Sequence, residues 1–243
     1  MISFIQTARD RACDMERPFT FINSAMSADG KISTSKRKQV KISGKADFDR
    51  VDELRAGADA VMVGIGTVLA DDPSLTVKSD ERHKRRMANG LDENPARIVV
   101  DSRARTPLTA DVFKKGTGKR IVVVSKAAPV DKVKALRNVA EVVVVGEKEV
   151  DLREMVRELK KRGIGRLMVE GGATLNWAMA RAGLVDEIST FVGNILIGGK
   201  DAPTFMDGEG IAERAEAIEL ELKKIEPVDE GIVLTWRVRS SSS

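Results

Sequence analysis

The sequence predicts a single-domain α/β fold with a mostly parallel central sheet, helices on both of its faces, and antiparallel strands at one edge. Three observations carry this. The runs Ala60-Val-Met-Val63, Arg97-Ile-Val-Val100, Arg120-Ile-Val-Val-Val124 and Glu141-Val-Val-Val-Val145 are continuous rather than alternating, the pattern of strands buried on both faces. Helical periodicities fall between strands, and that alternation implies parallel pairing. The last strands follow one another without helices, as antiparallel edge strands do.

The elements follow in order. Phe19 to Ala25 is predicted as a strand, with Asp29-Gly30 as its turn. Lys45 to Arg55 is predicted as a helix: Phe48, Val51 and Leu54 recur at helical spacing, Ser43 or Gly44 lies near its start, and Gly57 follows its end. Asp151 to Arg162 is a second helix, with Leu152, Met155, Val156 and Leu159 on one face. Leu167 to Val169 is a strand and Ala173 to Arg181 a helix stopped near Gly183. Glu187 to Val192 and Gly231 to Val238 are strands, and Glu219 to Lys224 alternates as a half-exposed strand should. No repeat or linker interrupts the pattern. Residues 1–17 are expected to be an extension, 18–239 one domain and 240–243 a tail.

Composition narrows the function. No apolar run of about 18 residues or more occurs, so no membrane span is expected. The polar stretch from Met1 to Arg17 lacks the apolar region of a secretory signal. A single cysteine, Cys13, excludes an intramolecular disulfide and fits a cytoplasmic protein. One histidine and one cysteine cannot build a His/Cys zinc site or a Cys-His nucleophile pair, so no metal is expected. Net charge is only +4. The dense basic cluster from Arg82 to Arg86 has no aromatic neighbours, and is expected to be a solvated loop rather than a nucleic-acid site.

Three segments offer chemistry. In Val169-Glu-Gly-Gly-Ala173 a strand runs through two glycines straight into a helix. Free N–H groups and the positive dipole end make such a helix start an anion site, which glycines let a phosphate approach. An ordinary tight turn uses the same residues. The second segment, Gly64-Ile-Gly-Thr67 to Asp71-Asp72-Pro73, also follows a strand, but lacks the third glycine of the dinucleotide fingerprint. The Asp71-Asp72 pair has as its plain alternative a helix-end turn. The third, Asp101-Ser102-Arg103-Ala104-Arg105-Thr106, places two arginines past a strand, where they suit a phosphate monoester or a charged surface turn.

Together these segments resemble the riboflavin-biosynthesis pyrimidine reductases, especially the stand-alone archaeal type. The carriers are Asn23-Ser-Ala-Met-Ser-Ala-Asp-Gly-Lys-Ile-Ser33, Gly64 to Leu75, Arg97-Ile-Val-Val-Asp-Ser102, Glu170-Gly-Gly-Ala-Thr-Leu175 and Gly183-Leu-Val-Asp-Glu187, in family order over 18–239. The resemblance implies a dihydrofolate-reductase-like fold, a homodimer, and NADPH as cofactor, with NADH left open. It implies reduction of a phosphorylated ribosylaminopyrimidine to its ribitylamino product. The diaminopyrimidinone is the expected substrate and the aminouracil analogue its alternative. It places the cofactor against Thr67, Asp71, Ser102, Ala104, Arg105, Thr106, Gly171, Gly172, Ala173, Thr174 and Leu175. It places substrate against Asn23, Lys31, Arg55, Leu75, Lys78 and Glu170. Position 78 is arginine in some relatives; lysine keeps the charge but not the bidentate fork. With no histidine suited to serve as the acid, Lys31 and Glu170 are the expected catalytic groups. A dihydrofolate reductase or a non-enzymatic anion-binding module on the same fold are the competing readings.

Overall fold

The computed structural model describes residues 16–37 and 40–239. The segments 1–15 and 240–243 therefore lie outside the described residues. Arg17, assigned above to the extension, is tied down: its guanidinium donates to both Asp186 oxygens at 2.7 Å.

Among the described residues, nine strands form one sheet in the order β5-β4-β3-β2-β6-β1-β7-β9-β8. The strands are β1 (Phe19–Ser27), β2 (Ala60–Gly64), β3 (Ala96–Val100), β4 (Arg120–Val124), β5 (Glu141–Val144), β6 (Arg166–Val169), β7 (Glu187–Gly193), β8 (Leu220–Val228) and β9 (Gly231–Val238). From β5 to β7 every pairing is parallel; only β9 and β8 are antiparallel, as expected. The helices are α1 (Lys45–Ala56), α2 (Ile65–Asp71), α3 (Asp80–Ala88), α4 (Asp111–Lys114), α5 (Val130–Leu136), α6 (Leu152–Lys161) and α7 (Ala173–Arg181).

Alternate residues of the central strands feed two cores. Ile22, Met62, Ile98, Ile121 and Leu167 pack with α6 and α7; Phe21, Val61, Val99, Val122 and Met168 pack on the opposite face with α1, α2, α4 and α5. This two-sided burial is why β2, β3 and β4 are apolar throughout. At the edge the rule lapses: in β5, which has β4 on one side and no strand on the other, Val144 is 41% exposed.

Two expectations are corrected. The basic cluster is not a loop. It forms α3, capped by Ser79, whose hydroxyl accepts the Arg82 N–H. Arg82 is bonded to Asp49, Asp52 and Glu53, and buried Arg86 donates to the carbonyls of Ala56, Ala58 and Asp92. Ion pairs and carbonyl contacts replace the apolar stripe that was absent. In α1, Phe48 faces solvent, and Asp47 and Asp52 are buried instead. Each buried acid is satisfied: Asp47 accepts from Arg50, and Asp52 from the N–H groups of Lys78 and Ser79.

One irregularity positions the site. β6 stops at Val169, level with Ile22 of β1 and Met62 of β2. β1 runs on to Ser27 beside β7. Asn23 to Ser27 therefore lack a β6 neighbour, and a notch opens at the carboxyl edge of the parallel strands. Open α/β sheets bind ligands at that edge.

Candidate active site

Glu170 is the first residue beyond β6, at the floor of the notch. Its carboxylate accepts from Arg55 Nε at 2.6 Å and Nη2 at 2.7 Å, and Arg55 Nη1 reaches the Thr76 carbonyl. Burial would lower the Arg55 pKa, but the Glu170 charge outweighs it and holds the guanidinium above its ordinary value.

Beside this pair runs Ser74 to Lys78. Leu75 is buried with a left-handed backbone, φ +54°, which orders the segment against its own preference. Lys78 Nζ donates to Ser74 Oγ at 2.9 Å and Thr76 Oγ1 at 2.7 Å, so its ammonium meets hydroxyls. Its pKa is lowered by burial first, then by the Arg55 and Lys115 cations. Excess positive charge among hydroxyls is the environment an anionic group relieves. Asn23, level with Glu170 across the notch, accepts from Arg50 Nη2, and Arg50 also reaches Ser189.

The two glycine turns lie side by side. The Gly64 N–H donates to the Gly171 carbonyl at 2.8 Å. A Cβ on Gly64 would contact Leu175, and one on Gly172 would lie 3.2 Å from Thr67 Oγ1. Gly171 takes φ +101°, open to glycine, and the Gly171–Gly172 peptide is cis. No side chain caps α7, so its first N–H groups, at Ala173, Thr174 and Leu175, face away from any capping group. Asp71 ends α2, where burial raises its pKa, and the Asp71-Asp72 pair is indeed a helix-end turn.

The third segment is organised by a residue that was not singled out. The fully buried Asp101 carboxylate accepts from the Thr106 N–H at 2.7 Å, the Thr106 hydroxyl at 2.8 Å and the Arg105 N–H. It folds the loop so that Ala104 takes φ +53° and is buried. Thr106 is committed to Asp101 and Ser102 Oγ accepts the Val150 N–H, leaving Arg105, half exposed, as the freest donor of the predicted set. An aspartate followed four and five residues on by polar groups was the available signal for this turn.

Lys31 lies apart from Glu170. Its carbonyl accepts the Ser27 N–H, so it stands level with the end of β1, and its Nζ donates to the Ala202 carbonyl at 2.9 Å. Four strand steps separate Ser27 from Asn23, on the order of 13 Å. Lys31 and Glu170 thus flank the notch at different heights. Ser74, Thr76 and Asp101 are the residues missed. The first two flank Leu75, whose left-handed turn brings their hydroxyls within 3.1 Å of each other.

A notched parallel sheet with paired glycine turns at its carboxyl edge defines an α/β protein of the ligand-binding class, and its relatives make it a reductase of the dihydrofolate-reductase-like fold. The chain belongs to the RibD C-terminal domain family, whose model matches residues 18–234. It is 48% identical to the 2,5-diamino-6-ribosylamino-4(3H)-pyrimidinone 5′-phosphate reductase of Archaeoglobus fulgidus, over 91% of this chain and 98% of that one. The protein of the same name from Methanothermobacter thermautotrophicus is 47% identical over 92% of this chain and 99% of its own. Among solved structures, RibD of Acinetobacter baumannii matches 95% of this chain with a TM-score of 0.78 and 26% identity. This chain spans only 60% of that longer one. Family membership implies a pyridine-nucleotide cofactor.

Proposed function

We propose that the chain is an NADPH-dependent reductase of 2,5-diamino-6-ribosylamino-4(3H)-pyrimidinone 5′-phosphate, forming the ribitylamino product. The observation that carries this is the junction at β6. Glu170, paired with Arg55, and Gly171, which opens the phosphate-type turn into α7, are consecutive residues. A substrate group and a cofactor turn are thereby held one Cα step apart, about 3.8 Å.

The residues fit the cofactor. Gly171, Gly172 and the α7 N–H groups suit a pyrophosphate, while Thr67, Asp71 and Ser102 border the same edge. Arg105 is the group proposed for a 2′-phosphate, with Ala104 and Thr106 shaping its loop. When bound, NADPH supplies a hydride for C1′ of the ring-opened imine. Lys78, Arg55, Ser74 and Thr76 hold the anionic and polar parts of the substrate, with Leu75 and Asn23 fixing the walls. Lys31 and Glu170 are the groups proposed to polarise the reacting group and handle its proton, from the two ends of the notch and through water where a side chain does not reach it. Residues 18–239 act as one reductase domain, in line with a single sheet running from Phe19 to Val238. Exposed Leu220, Leu222, Ile225 and Ile232 on the terminal hairpin suit a homodimer. A cytoplasmic setting completes the reading.

A steady-state assay with the diaminopyrimidinone and the aminouracil phosphates, each with NADPH and NADH, tests it. Turnover is expected to favour the diaminopyrimidinone with NADPH. Equal or better turnover of the aminouracil would reassign the substrate, and no NADPH oxidation with either would overturn the enzymatic reading.

A further inference from the structure

The segment Ala202 to Asp207 is tied to both walls of the notch. On one side Lys31 Nζ donates to the Ala202 carbonyl, the Ile32 N–H donates to the Pro203 carbonyl at 3.0 Å, and Lys31 forms a bridge with Thr204. On the other, Asn176 Nδ2 donates to the Phe205 carbonyl at 3.0 Å and the Asp207 N–H to the Ala173 carbonyl at 3.3 Å. Phe205 and Met206 pack on the core beneath α7. The strap therefore joins the Lys31 turn to the first turn of the helix that follows the two glycines.

Its shape depends on one carboxylate. Asp207 accepts from the Thr204 hydroxyl at 2.5 Å and from the Thr204 N–H at 3.2 Å, which closes the strap's end into a tight turn. The Thr204 hydroxyl also reaches the Met206 carbonyl at 3.0 Å, but removing the carboxylate takes away both bonds that join the two ends of the turn, and the Ala202 carbonyl that holds the ammonium shifts with the loosened strap. We propose that Asp207 is a positioning residue: through the strap it sets the Lys31 ammonium relative to the α7 turn. This rests on the role given to Lys31 above.

The test is a double-mutant cycle in the full chain, assayed with NADPH and the diaminopyrimidinone phosphate. Asp207→Ala is expected to lower kcat about tenfold or more while KM and NADPH affinity stay within about threefold. Asp207→Asn keeps an oxygen for the Thr204 N–H and recovers most of kcat. In a Lys31→Met background, Asp207→Ala changes nothing further, because the two act through one group. Fully additive losses, or a loss of NADPH affinity as large as that of kcat, would show a merely structural residue and overturn the proposal. A Lys31→Met enzyme with wild-type kcat would overturn the reading of Lys31 itself, and Asp207's role with it; that failure is read from a different variant, so the two are told apart.

Discussion

Arg55 of α1 and Glu170 at the end of β6 form a two-bond ion pair whose side chains are only 17% and 13% exposed. Removing one partner strands the other charge out of water. Glu170→Ala is expected to lose about 3–5 kcal/mol of stability, measured by urea unfolding. The double substitution Arg55→Met with Glu170→Met is expected to restore most of that stability and none of the activity. If the double variant is as unstable as the single one, the pair's cost is not electrostatic.

Gly172→Asp is expected to abolish NADPH binding in a folded protein. The backbone at Gly172 has φ −77°, which any residue adopts, so no strain opposes the change. What opposes binding is a carboxylate at the start of α7 and crowding against Thr67 Oγ1, 3.2 Å from the new Cβ. A fluorescence titration with near-wild-type affinity would remove the pyrophosphate from this turn.

Arg105→Ala is expected to weaken NADPH but not NADH. The guanidinium is half exposed and held to Asp101 only at 3.4 Å, leaving it free to meet a phosphate. A charge-assisted bond is worth roughly 1.5–3 kcal/mol, and the exposure argues for the lower end. Equal loss with both cofactors would take the 2′-phosphate away from Arg105.

The acid limb of stability has an identifiable contributor. The Ser27 hydroxyl first, then the Ile197 and Gly198 N–H groups, hold the Asp29 carboxyl down at about 2. A carboxylate depressed in the folded state contributes stability that is fully present above its unfolded value and lost as pH falls through the folded one. The window therefore runs from near pH 4 down to about pH 2. Asp29→Asn is expected to flatten the fall of Tm across that window, and an unchanged acid limb would count against the loop contacts.

The legible part of this protein was the part whose order comes from apolar burial. β2, β3 and β4 announce themselves because both of their faces are covered. α3 did not, because its order comes from arginines reaching acids and carbonyls on other elements; only its Ser79 cap and acidic first turn marked it. The site divides the same way. Residues at strand ends, such as Glu170 and Gly171, were visible as junctions. The Arg55–Glu170 pair and the Asp101 turn were not, since a long-range ion pair and a carboxylate's choice of backbone partners leave no periodic trace.

The placement of β6 between β1 and β2 also constrains how the chain assembles. β2 to β5 follow one another in sequence and pair in that order, so their contacts are more local than those of β1. β1 has no partner among them. Its first ladder bonds join Phe19 to Arg166, across most of the chain, and its other neighbour, β7, is made later still. Pairing β1 therefore requires a longer loop to close than any pairing from β2 to β5 does. The notch exists only where β1, β6 and β2 lie side by side, so the shape of the proposed site rests on the most long-range contacts of the sheet.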